Sequence, residues 1–272
     1  DWPCEPGDRT TPQLSTGWRP FDRAQLSERS IAYTATVLHR LYQWLGKVRY
    51  LAGNPFGGLG KGSFRIEQIH PQHRHLPKHL TDRVLELLDI PAQDGALGRA
   101  LFRRRLLCTL LFDTGLRRHE AAALTFDRIA YVPDPRLDTA RTTRFELRIV
   151  GKGNKARSIP VSPRLLRLFE EELAGRGLTA GFGDPALLGV PVIGRLRGDR
   201  DRCMTPESIY LECKAALSGV SRQLRGAGHA QDAALLEQAT THWTRHSFGM
   251  AIVETAGLPV VQELLGHEDL NT

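Results

Sequence analysis

Apolar positions along this chain recur mainly every three or four residues, the period of a helix with one buried face. Residues 1–26 are rich in Pro, Gly, Asp and Arg without periodicity and read as an irregular arm. Ile31, Val37, Leu38, Leu41, Trp44, Leu45 and Val48 predict an amphipathic helix, entered through the caps at Ser27-Glu28-Arg29-Ser30 and broken at Asn54-Pro55-Phe56-Gly57-Gly58. Residues 57–79 turn Gly-rich, then basic and His-rich, which predicts a linker. Thr81-Asp82 predicts the cap of a helix carrying Val84, Leu85, Leu87 and Leu88. Residues 99–112 predict a long apolar helix whose Arg103-Arg104-Arg105 run forms a solvated face. Asp113 to Arg117 is a turn that opens another helix over 118–124.

The period then changes. Phe145 to Val150 alternates apolar and polar, Gly151-Lys152-Gly153-Asn154 reads as a hairpin turn, and Arg157 to Val161 as the returning strand. Ser162-Pro163 places an N-cap and a first-turn proline before Leu165, Leu166, Leu168, Phe169 and Leu173, and Gly175 and Gly177 end that helix. Residues 176–203 read as loop, and Thr205-Pro206 starts a further helix. Residues 220–232 are polar and carry no assignment. Thr240 or Thr241 caps a helix through His242-Trp243-Thr244-Arg245-His246-Ser247-Phe248; Gly257-Leu258-Pro259 breaks it, and Val260 to Leu265 is a short helix stopped by Gly266. There is no internal repeat.

Composition narrows the class. With 272 residues and 41% hydrophobic content the chain can bury a core, as one large domain or two small ones. No apolar run is long enough to span a bilayer, and the first residues lack the basic-then-apolar layout of a signal peptide. Lys and Arg number 37 against 30 acidic residues, a net charge of +7 that suits a polyanionic partner, nucleic acid first. Cys4, Cys108, Cys203 and Cys213 are scattered, with no zinc spacing, which predicts a reducing, intracellular setting without disulfides. The histidines of the linker share no acidic or Cys partner, so they predict no metal site. The chain opens on Asp1 rather than Met, so it is expected to be part of a longer protein.

Two Gly-Lys pairs invite a phosphate-binding loop, but the position five residues before the Gly is Pro55 in one case and Glu146 in the other. ATP use is therefore not expected. Four separated pieces point elsewhere. Arg117 stands at a helix N-terminus, where amides and guanidinium both favour phosphate oxygens. Lys152 projects from a hairpin tip. His242 and Arg245 share a helix face. His267 follows a helix stop.

In this order the pieces resemble the tyrosine recombinase, or phage integrase, family. The matching stretches are Thr114-Gly115-Leu116-Arg117-Arg118-His119-Glu120, then Ile149 to Pro160 around Lys152, then His242 to Phe248, then Val261 to His267. The resemblance covers residues 75–272 and, more loosely, the helix ending in Tyr50 to Phe56.

The resemblance implies a mainly α fold with a small antiparallel β-sheet (α+β), arranged as a two-domain C-shaped DNA clamp. Residues 1–74 would hold the arm, a partial helical DNA-binding domain and the basic linker; residues 75–272 would hold the catalytic domain. Arg117 and Arg245 would clamp the oxygens of a scissile DNA phosphate. Lys152 would be the general acid to the leaving 5′-oxygen. His242 would act as acid/base and phosphate ligand, and His267 would donate a further hydrogen bond. Glu120 would brace the site and His246 would be structural. Arg40, Lys47, Lys61, Arg65, Arg74, Lys78, Lys155 and Arg157 would meet the DNA backbone. Neither cofactor nor metal is expected. The partners would be double-stranded DNA and further copies of the protein, as dimer or tetramer on DNA, and the location the cytoplasm of a prokaryote, at the nucleoid.

Two departures from the family pattern stand out. Thr244 occupies a position where Leu is frequent. The family's nucleophilic Tyr follows the last His by about nine residues, whereas the tyrosines here are Tyr33, Tyr42, Tyr50, Tyr131 and Tyr210. The nucleophile is expected just beyond Thr272, and the chain is expected to bind DNA without cleaving it. Alternatives are an inactive DNA-binding accessory protein with the same fold, a related strand-passing or telomere-resolving enzyme, and a basic globular protein with no DNA role.

Overall fold

A computed structural model describes residues 28–58, 74–89, 95–133, 143–151, 156–195 and 202–266. Internal contacts divide the chain into two compact units, Asp1–Gln72 and His73–Thr272. In the first, helix α1 (Glu28–Lys47) carries the predicted apolar stripe, although Ile31, Val37, Leu41, Trp44 and Val48 all stay substantially exposed. Asn54 folds the following turn back on it, donating to the His39 carbonyl and accepting from the Phe56 amide, while Tyr42 and Phe56 meet ring to ring.

The second unit is built around helix α3 (Gly95–Thr114). From Leu106 to Phe112 every residue is buried, so this half of the helix must be covered on all sides. Helices α2 (Lys78–Leu88), α5 (Pro163–Gly175), α6 (Pro206–Gly226) and α8 (Thr241–Ala256) pack against it. The Arg103-Arg104-Arg105 run is not a merely solvated face. Arg104 pairs with Glu212 at 2.9 Å, Arg105 with Asp89 and Glu171, and Arg103 donates to the Met204 sulfur and the Arg195 carbonyl. The run ties the half-buried part of α3 to its neighbours.

Three strands, β1 (Ile129–Pro133), β2 (Thr143–Val150) and β3 (Ala156–Pro160), form an antiparallel sheet in that order. Ile129 opposes Leu147 and Leu147 opposes Ile159, so one face of the sheet enters the core. β1 is absent from the predicted strands, because Ile129 to Pro133 is too short to show alternation. Ser162 caps α5 as predicted, accepting from the Leu165 amide at 3.1 Å, and its hydroxyl also donates to Asp113.

Other boundaries move. α2 begins at Lys78, behind Pro77, so Thr81-Asp82 lies inside its first turns and does not cap it. The reason is packing: Leu80, Val84 and Leu88 are all buried and need one continuous helical stripe. Residues 220–232 are largely helical too. α6 continues to Gly226 because Val220, Ser221 and Leu224 still face the core, and α7 (Ala230–Gln238) turns back onto it. Cys108 on α3 and Cys213 on α6 are fully buried free thiols; their mutual hydrogen bond and burial push the Cys108 thiol up. Among the described residues no helix is long and apolar enough to cross a membrane.

Candidate active site and DNA interface

The site forms where α3 ends. Gly115 follows Thr114 with φ +59°, the left-handed region that favours glycine. A β-carbon there would meet Phe248 Cδ1 at 2.5 Å and Leu265 Cδ2 at 3.0 Å. The Gly of Thr-Gly-Leu-Arg therefore has two reasons to be Gly: the turn, and the close approach of α8 and of α9 (Leu258–Leu265). Leu116 drops into the core, and Arg117 is left at the N-terminus of α4 (Arg118–Ala122).

Glu120, one turn into α4, reaches back to accept from the Arg117 amide at 2.8 Å and from its Nη1 at 3.2 Å. Arg157 on β3 takes the same carboxylate with two prongs, Nη1 to Oε1 at 2.9 Å and Nη2 to Oε2 at 2.8 Å, while its Nε donates to the Leu264 carbonyl at 2.9 Å. Burial opposes ionisation of Glu120, but these hydrogen bonds and the two nearby cations overcome it and hold the carboxyl down at about 2.

α8 supplies the opposite wall. Thr240 caps it, accepting from the His242 amide. Arg245, 4% exposed, extends its guanidinium between chain segments, donating at 2.6 Å to the Gly115 carbonyl and at 2.6 Å to the Leu265 carbonyl. Burial and the neighbouring Arg117 cation bring Arg245 down to about 10, which still leaves it fully charged near neutral pH. His242 is exposed at the start of α8, its ring edge-to-face with that of His246 at 4.4 Å between centroids. Desolvation, then Arg245, Arg74 and Arg117, push His242 below its ordinary value.

The structure thus brings together Arg117, Glu120, Arg157, His242 and Arg245. Arg74 also comes within electrostatic reach of His242, because Ser247 accepts a 2.8 Å hydrogen bond from the Leu76 amide and so holds the chain entering α2 beside α8. The sequence offered only a weak signal for that role of Ser247: a hydroxyl on a largely buried helix. Arg157 differs from its expected place at the DNA backbone. It is 6% exposed and committed to Glu120, since the alternation of β3 turns it toward α4 and α9. Lys78 is exposed and pairs with Asp82 at 2.6 Å; Arg40 and Lys47 are exposed on α1. Lys61, Arg65, Lys152, Lys155 and His267 lie outside the described residues. Among the described residues no cluster of His, Cys, Asp and Glu could hold a metal ion.

Comparison with known proteins bears on the family and the fold. A family model described as the phage integrase family matches residues 80–272. The tyrosine recombinase XerC of Pseudomonas fluorescens is 30% identical over 250 residues, which is 90% of this chain and 68% of that protein. Two solved structures share the fold: the Tn1549 transposon integrase in complex with circular intermediate DNA, and a lambda integrase dimer bound to a core site. The first matches with a TM-score of 0.55 at 16% identity, covering 90% of this chain and 73% of that one. The second has a TM-score of 0.55 at 12% identity, covering 90% of this chain and 57% of that one. With a family model that spans residues 80–272 and a relative 30% identical over 90% of its length, the chain belongs to the phage integrase family of tyrosine recombinases.

Proposed function

We propose that this chain carries the phosphate-binding half of a site-specific DNA recombinase that breaks and rejoins strands through a 3′-phosphotyrosine. The observation that carries the reading is the proximity of Arg117 and Arg245. Arg117 lies close enough to raise the cost of charging Arg245, and Glu120 is largely occupied by Arg157, so the pocket holds surplus positive charge. Such a pocket suits a phosphodiester, whose oxygens gain charge as a fifth bond forms at phosphorus.

In this reading Arg117 and Arg245 hold the non-bridging oxygens. A tyrosine oxygen attacks phosphorus as its hydroxyl proton passes to His242, the bond to the 5′-oxygen breaks, and Lys152 gives that oxygen its proton. His242 and His267 hydrogen-bond the same phosphate. The guanidinium groups supply the positive charge, so the step invokes no metal and no cofactor. Arg74, Arg40, Lys47, Lys61, Arg65, Lys78 and Lys155 meet the duplex backbone, the first unit serving as a second DNA-contacting domain. Recombination joins two DNA sites, which calls for dimers or tetramers on DNA inside the cell. None of the tyrosines of this chain follows His267. The chain by itself therefore binds duplex DNA without becoming covalently attached.

Anisotropy of a labelled duplex across a salt series tests the binding. The logarithm of affinity should fall with the logarithm of salt at about −0.9 per phosphate neutralised. Affinity indifferent to salt would overturn the reading, and a covalent adduct formed by this chain would overturn the proposal that it binds without cleaving.

A further inference from the structure

A carboxylate beside a phosphate-binding guanidinium creates a conflict. Glu120 braces the Arg117 amide at 2.8 Å, and it does so as an ionised carboxylate, its carboxyl held down at about 2 by its hydrogen bonds and the nearby cations. The same charge facing the Arg117 guanidinium competes with phosphate for it. The structure divides the two jobs unequally. Arg157 occupies both carboxylate oxygens at 2.8 and 2.9 Å, and both of these groups are closed to solvent, at 6% and 2% exposure. Arg117 makes one longer hydrogen bond of 3.2 Å from a single nitrogen and keeps 30% of its side chain exposed. The third donor of Arg157, Nε, holds the Leu264 carbonyl, so the guanidinium cannot swing away from Glu120 without releasing the end of α9.

We propose that Arg157 is a positioning residue that absorbs the charge of Glu120, so that Glu120 orients Arg117 without neutralising it. The proposal rests on the phosphate-binding reading of the Arg117 and Arg245 pair. Without Arg157, the buried carboxylate has Arg117 as its remaining partner, and the pocket forfeits one of the two cations it offers to DNA.

The test uses the 272-residue chain and a fluorescein-labelled duplex of about 30 base pairs, with the salt slope of binding as the readout. In Arg157→Met the slope becomes shallower by about 0.9, the value of one phosphate no longer neutralised. Adding Glu120→Gln to that variant removes the competing charge, and E120Q/R157M recovers the wild-type slope. A purely structural ion pair gives no such recovery, because removing its second partner cannot restore what the first removal cost. Arg157→Lys keeps the charge with fewer prongs and keeps the wild-type slope. Circular dichroism and melting curves check that each variant is folded; if Arg157→Met does not fold, Arg157→Lys and E120Q/R157M decide. An unchanged slope in folded Arg157→Met, a double variant as shallow as the single one, or a folded Arg157→Lys with the shallower slope overturns the proposal. Wild-type binding that ignores salt instead overturns the phosphate reading on which it rests.

Discussion

Arg245 donates to the carbonyl oxygen of Gly115 at 2.6 Å across 130 residues of sequence. Its other terminal nitrogen holds the Leu265 carbonyl at 2.6 Å. One guanidinium thereby ties the end of α3, where Arg117 begins, to the end of α9. Hydrogen bonds from a charged donor are worth about 1.5–3 kcal/mol each, so this residue is a structural tie as well as the proposed phosphate ligand.

Gly115 is where that tie is least tolerant of change. In Gly115→Ala the residue keeps an unfavourable positive φ, at about 1–2 kcal/mol, and pushes a methyl group into Phe248, at about 1–3 kcal/mol. Urea unfolding should show a loss of about 2–5 kcal/mol. Gly219, inside α6 with nothing within 4 Å of where a β-carbon would stand, is the control. Gly219→Ala should gain up to about 1 kcal/mol from helix propensity. Equal effects at the two glycines would contradict the close approach of Phe248.

The two arginines proposed to clamp the phosphate should separate in stability. Arg245→Ala leaves the Gly115 and Leu265 carbonyls without that donor in a buried setting, at about 1–3 kcal/mol for each. Arg117→Ala removes a partly exposed side chain with one long hydrogen bond, at about 1 kcal/mol or less, while Glu120 keeps Arg157. Both variants should reduce the salt dependence of duplex binding, and only Arg245→Ala should lower the melting temperature strongly. Matching drops in melting temperature would show that Arg245 is not the tie described.

The sequence carried the helices whose apolar stripes are complete, such as α5 behind Ser162-Pro163, and it carried the four motifs in their order. It did not carry the length of α6, because Val220, Ser221 and Leu224 are spaced among polar residues whose exposure only the fold decides. Nor did it show the partner of Arg157. A basic residue on a hairpin beside Lys152 and Lys155 reads as DNA-facing, and only strand alternation combined with the position of α4 turns it inward to Glu120. Hydrogen bonds between residues far apart in the chain, like that from Leu76 to Ser247, leave no local pattern.

The Glu120 carboxyl should make the fold acid-sensitive. Its folded value of about 2 lies below the ordinary 4.5, so its stabilisation is fully present above about pH 4.5 and is lost as pH falls toward 2. The shift corresponds to about 3 kcal/mol. Glu120→Gln should therefore be less stable than wild type near neutral pH, with the gap closing as pH falls through this window. A gap that stays constant from neutral pH down to about pH 2.5 would mean that the carboxylate is not held ionised by Arg157 and Arg117.

His242 should report DNA directly. In the free chain, desolvation and the cations of Arg245, Arg74 and Arg117 hold it below its ordinary value of 6.5. A phosphate seated between the arginines offsets those cations and favours the protonated ring, so duplex binding should raise the His242 value. Arg74→Gln should raise it in the free chain as well, by removing one of the three repulsive charges. Imidazole proton shifts followed by NMR, with His242→Gln to assign the resonance, give both values. The sign for stability is opposite to that for DNA. A lowered value in the free fold favours it above about pH 6.5 and works against it as pH falls, whereas duplex affinity should strengthen as pH falls and His242 gains its proton. A His242 value that DNA leaves in place would put the ring outside the phosphate pocket and leave Arg117 and Arg245 to hold the phosphate without it.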